Sequence, residues 1–171
     1  MADFDVNPLI AYSQHEVRGC RLIWDVREPP LDSARLVSDP EESPSHLDFT
    51  QFATNPPLPR LHVVCDFFNA YWPIKAQREE GVTVGDVLHA IHTTLIKRIS
   101  QEEYDHLSPR QQNRVRDAFE ERCSMAADRD GCRSHGVIRS DCLLEHTGFA
   151  GLSPSLEMDS TCILTLRRRT R

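Results

Sequence analysis

The chain has 171 residues, 39% hydrophobic and 27% charged, with a formal net charge of −6. That length suits one domain with a single core, and an acidic body that repels phosphate backbones excludes general nucleic-acid binding. No stretch approaches the roughly 18 uninterrupted apolar residues of a membrane span, which excludes membrane insertion as a helix. The opening Met-Ala-Asp-Phe-Asp-Val has neither the basic nor the apolar region of a secretion signal. The expected compartment is therefore the cytoplasm, with Cys20, Cys65, Cys123, Cys132, Cys142 and Cys162 reduced.

Residues 1–19 are weakly patterned and read as an N-terminal arm. Arg21 to Val26 reads as a strand stopped by Pro29-Pro30. From about 28 to 59 the chain holds seven of its eleven prolines, with Asp39, Glu41, Glu42 and Asp48. Proline at this density breaks helices and sheet ladders, so the segment is expected to be a long floppy surface loop. Leu61 to Phe68 is apolar enough for a central strand. Tyr71 to Gln77 alternates like a second strand, Pro73 places it near an edge, and the two form a hairpin through Asn69-Ala70.

Helix signals follow. Thr83 with Asp86 forms a capping box, and Val84, Val87, Leu88, Ile91, Leu95 and Ile99 recur at helical spacing. At 100° per residue they span about 120°, one buried stripe. Ser100 with Glu103 opens a short helix to about His106. Ser108-Pro109-Arg110-Gln111 combines a cap, a proline at the first helical position and a reciprocating glutamine, and starts a helix to about 125. Its inner face carries Val115, Ala118, Phe119, Arg122 and Cys123, and it ends before Asp128-Arg129-Asp130-Gly131. Asp141 to Leu144 reads as one helical turn, Ser153-Pro154 as a turn, and Thr161 to Leu166 as the last strand. Arg167, Arg168, Arg169 and Arg171 form a basic tail, expected to be a solvated end that keeps this strand soluble.

Several phrases along the chain carry a resemblance. They are Trp24-Asp25-Val26 with Pro29-Pro30, then Ala53-Thr54-Asn55-Pro56-Pro57-Leu58-Pro59, then Trp72-Pro73-Ile74. Gly81-Val82-Thr83-Val84 with Asp86-Val87-Leu88 follows, and then Phe149-Ala150-Gly151-Leu152-Ser153-Pro154. In their order and spacing, over about residues 20–166, they resemble a family of fungal proteins, abundant in mushroom-forming species and known only as a domain of unknown function. The resemblance implies a fungal, intracellular protein. It implies no reaction and supplies no catalytic residues.

Three constellations bear on chemistry. Cys132, His135, Cys142 and His146 have the residue types of a zinc site, but their spacing fits no zinc-finger pattern, and the reading is a loop with incidental histidines and no metal. His89 and His92 lie about 160° and 100° from the buried stripe, with Ile96 between them, so the three should share an exposed face, either a half-wet helix flank or a pocket wall or docking surface. Asp25 and Asp66 stand within strands, where aspartate is disfavoured. His62 and Asp66 share a face but lie about 13 Å apart along the strand. Asp25 beside Trp24 could have the raised pKa of a general acid, but the preferred reading puts Asp25 and Asp66 at strand ends, binding backbone amides or Ser/Thr groups.

Together these features predict an α+β domain over 20–166, with a small, mostly antiparallel sheet and two main helices packed on one face. No nucleophile elbow, phosphate loop or dinucleotide fingerprint is present, and no cofactor is expected. The leading reading is a non-enzymatic interaction or ligand-binding domain taking a protein or a small hydrophobic ligand, with contact area from Trp24, Tyr71, Trp72, His89, His92 and Ile96. The alternative is a small acid/base enzyme of isomerase, cyclase or hydrolase type, acting on a hydrophobic molecule between sheet and helices through Asp25, His62 and Asp66. The sequence sets no oligomeric state.

Overall fold

In the computed structural model, residues 2–65 and 72–170 are described, and they adopt an α+β fold. The first half runs β1 (Asp5–Val6), β2 (Leu22–Ile23), α1 (Pro30–Ser33), β3 (Arg35–Leu36), α2 (His46–Thr50), β4 (Thr54–Asn55), β5 (Arg60–Val64) and β6 (Ile74–Gln77). The second runs α3 (Val84–Leu95), α4 (Gln101–Asp105), α5 (Pro109–Met125), α6 (Arg129–His135), a 3-10 turn (Arg139–Leu143), β7 (Gly148–Pro154) and β8 (Thr161–Arg167).

The helix starts are locally determined. Thr83, Ser100 and Ser108 each accept a hydrogen bond from the amide three residues on, and the side chains of Asp86, Glu103 and Gln111 return it to the cap amide. Each box satisfies two donors that a first turn leaves orphaned, and such a cap contributes about 1 kcal/mol. Ser45 and Asp48 build the same box on α2. Asp128 caps α6 by accepting from the Gly131 amide, so the segment read as a helix stop begins another helix.

The main sheet has the order β6-β5-β8-β7, antiparallel except for the parallel pair β5 and β8. Leu61, Val63, Ile74, Ala76, Cys162, Leu164 and Leu166 are buried at alternate positions, the period-2 pattern of a sheet with one covered face. α3 covers that face with Val84, Val87, Leu88, Ile91 and Leu95, the stripe expected from periodicity. α5 buries only Val115 and Cys123, too thin an apolar face for the sheet, and packs chiefly on α6 and the 3-10 turn.

Four expectations differ from what is found. The strand read at 21–26 is two residues long and pairs with β3 rather than joining the main sheet. Its predicted place is taken by β7, where a turn was read; a register shift between Phe149 and Gly151 lets the strand bend. Gly151 has φ +113°, and a Cβ there would meet the Tyr12 backbone at 2.7 Å, so only glycine admits the N-terminal arm so closely. That arm is part of the core, since β1 pairs with β4, Ala11 bridges Leu152, and Ile10 is fully buried. The proline-rich segment is likewise folded. It contributes α1, β3, α2 and β4 and buries Ala34, Phe49, Ala53 and Thr54 against the rest. Pro30 starts a helix at its first position, so proline there punctuates short elements, and the Asn55-Pro56 peptide bond is cis. The basic tail is partly docked. Arg169 donates its backbone N–H to the Glu145 carbonyl and its side chain pairs with Glu121, while Arg168 pairs with Glu145.

Candidate functional site

Where the chain leaves β2, Asp25 pairs with the end of β7 through a bridge to Gly148. Its carboxylate accepts the Arg27 amide at 3.0 Å, the Arg27 guanidinium at 2.9 and 2.7 Å, and the Thr147 hydroxyl at 3.1 Å. The hydrogen bond and charge of Asp25 raise the Arg27 pKa further. Asp25 therefore acts as an anchor for Arg27.

Arg27 faces a second ion pair. Arg122, on the inner side of α5, donates Nε and Nη2 to the two carboxylate oxygens of Asp141 at 2.8 and 2.9 Å. Asp141 is 4% exposed and also accepts the Ile138 amide at 2.9 Å. Arg122 donates as well to the Gly136 carbonyl and to Cys132 Sγ. A bidentate pair of this kind fixes geometry as well as charge, and it holds α5 to the 3-10 turn.

Between Arg27, α5 and the 3-10 turn lies a cavity of about 30 Å³, walled by Ala118, Glu121, Arg122, Ser140, Asp141 and Leu144 and rimmed by Met125 and Arg169. Two local irregularities converge on it. Ser140 is 1% exposed, and among the described residues its hydroxyl has no hydrogen-bond partner. Leu144 has φ +58° and ψ −116°, a backbone conformation rarely adopted by a residue with a side chain. Such strain costs on the order of 1–3 kcal/mol and clusters at functional sites. At the rim, Met125 is 80% exposed. The site thus offers an apolar edge, a free buried hydroxyl and three arginines, each already held by a carboxylate.

The other sequence-predicted residues lie elsewhere. His62 is half-buried on β5, on the sheet face away from α3, beside Lys75 and Thr161. Thr161 and the Gly148 partner Arg167 stand at opposite ends of β8, so His62 and Asp25 are about 20 Å apart along that strand and do not meet. Asp66 and Tyr71, with the hairpin connection, fall outside the described residues. Trp24 is 2% exposed, packs against Phe149 with ring centroids 5.4 Å apart in a tilted arrangement, and donates to the Glu28 carbonyl. Trp72 is buried, donates to Glu103 at 2.5 Å and lies under Arg139. His92, expected on an exposed face, is buried, with Nδ1 3.0 Å from the Val26 carbonyl. The chain at Val26 covers that flank of α3, which helical periodicity does not reveal. His89 and Ile96 are exposed.

Cys132 lies beside Cys123 and Arg122. Cys142 sits in the 3-10 turn, its pKa pushed up to about 12, first by burial and then by Asp141. Among the described residues no three His, Cys, Asp or Glu side chains gather as metal ligands, and no helix is long and apolar enough to cross a membrane. Sequence reading missed Arg27, Ser140 and Asp141 as a site. The available signal was Arg122, a charge on the apolar face of α5 that required a buried partner.

Residues 22–160 match the profile of DUF6699, a family of unknown function, and the chain belongs to that family. No curated protein and no solved structure matches it.

Proposed function

We propose that the chain is a non-enzymatic interaction domain, cytoplasmic and of fungal origin, whose cleft beneath α5 receives a short segment of a partner protein. The carrying observation is the convergence of the strained Leu144 and the unpartnered, buried Ser140 hydroxyl on one cavity. About 30 Å³ holds a polar tip or a water, far less than the roughly 300 Å³ or more that encloses a small organic ligand. A partner therefore lies across the surface. It covers Met125 with an apolar side chain and directs a hydrogen-bonding group to Ser140, while the paired arginines form a polar rim. Exposed His89 and Ile96 on α3 extend the contact area, because the Lys97 carbonyl accepts the Arg139 amide and so ties that helix end to the turn carrying Ser140. The engagement of Asp25 by Arg27 and Thr147, away from His62, weighs against the acid/base alternative. Cys20, Cys123, Cys132, Cys142 and Cys162 are free thiols, which fits a reducing compartment. Fungal origin rests on the resemblance of the sequence phrases.

The test is affinity capture from a fungal lysate with the full chain and with Met125→Asp, whose exposed site leaves folding unchanged. The expected result is a protein retained by the parent chain and lost with the variant. Equal retention by both, or a small molecule as the sole retained species in native mass spectra, would overturn the assignment.

A further inference from the structure

The approach of Cys123 to Cys132 is independent of the cleft's role. Cys123 lies on the last turn of α5 and is fully buried. Cys132 lies on α6 and is half-buried. Their sulfurs are 2.7 Å apart, longer than the about 2.05 Å of a disulfide but close enough for one to form with little backbone movement. The hydrogen bonding is asymmetric. Cys132 Sγ accepts from Cys123 and, at 2.8 Å, from Arg122 Nη1. Of the two sulfurs, only that of Cys132 is reached by solvent and contacts a guanidinium. Burial, and Cys132 beside it, push the Cys123 pKa up to about 11, so Cys123 stays protonated and is the donor.

We propose that Cys123 and Cys132 form a peroxide-oxidisable dithiol, with Cys132 as the attacking sulfur and Cys123 as the resolving one. The Cys132 thiolate attacks one oxygen of hydrogen peroxide; the O–O bond breaks, hydroxide leaves and is protonated to water, and the sulfur becomes a sulfenic acid. Cys123 then attacks that sulfur. The S–S bond forms, the S–O bond breaks, and the departing hydroxide takes the Cys123 proton as a second water. Two thiols are oxidised by two electrons in all, and one peroxide is reduced to two waters. The product covalently links α5 to α6 and removes the sulfur acceptor from Arg122, which also lines the cleft.

The experiment treats the reduced full chain with hydrogen peroxide, then denatures and alkylates it for intact-mass and peptide mapping. The expected result is loss of two of the six alkylatable thiols, with a single cross-linked peptide pair containing Cys123 and Cys132. Cys123→Ser should instead trap a sulfenic acid on Cys132 that reacts with dimedone, and Cys132→Ser should keep all its remaining thiols. Full alkylation of the treated parent chain, a cross-link mapping to another pair, or oxidation of Cys132→Ser at the parent rate would overturn the proposal.

Discussion

Replacing Asp141 with alanine leaves the Arg122 guanidinium facing a nearly closed pocket without its carboxylate, and leaves the Ile138 amide without its acceptor. Breaking a buried pair from one side costs about 3–5 kcal/mol. The low end applies, because the Arg122 side chain keeps 21% exposure and retains the Gly136 carbonyl as an acceptor. A loss of about 3 kcal/mol is a large part of the roughly 5–15 kcal/mol that holds a domain together. For a chain of this size it lowers Tm by about 6–12 °C. Urea denaturation of the full chain followed by circular dichroism reads the loss directly, as a lower midpoint at unchanged slope. The double variant Arg122→Met with Asp141→Leu should recover much of it, since apolar replacement of both partners is often neutral. If Asp141→Ala cost under about 1 kcal/mol, or if the double variant were as unstable as the two single variants summed, the pair would not be the tie described.

Two further predictions concern other parts of the fold. The Arg78 guanidinium, bidentate on Asp86 at 2.6 and 2.7 Å, holds that carboxyl at about 2 against an ordinary 3.8. A folded pKa below the unfolded one gives stability that is fully present above about pH 4 and is lost as pH falls toward 2. Arg78 is exposed, so solvent screening keeps the contribution small; Asp86→Asn should flatten that part of an acid titration, and an unchanged pH profile would contradict the pairing. Ile10→Ala should cost about 2–4 kcal/mol, because Ile10 is fully buried in the core. A cost near zero by urea denaturation would return residues 1–19 to the status of a loose arm.

How far the sequence reached depended on the range of the interaction. The α3, α4 and α5 starts were legible because each capping box is complete within four residues, and the α3 stripe because its period is set by the helix itself. The β5 and β6 pairing was legible from alternation and proximity in the chain. The order of the expected elements, strands, then helices, then a strand, correctly suggested an α+β layer. The proline-rich segment was misread because proline count speaks of broken hydrogen bonds, while the burial of Ala34, Phe49 and Ala53 depends on surfaces supplied by distant residues. His92 was misplaced for the same reason, since its covering chain lies 66 residues away. The candidate site was hidden still more thoroughly. Asp25 meets Thr147 across 122 residues, and Arg122 meets Asp141 across 19. Local patterning therefore determined which elements form. Only tertiary packing decided which charges were paired, which aromatics were buried and where a cavity remained, because desolvation and ion pairing depend on distances that no sequence period encodes.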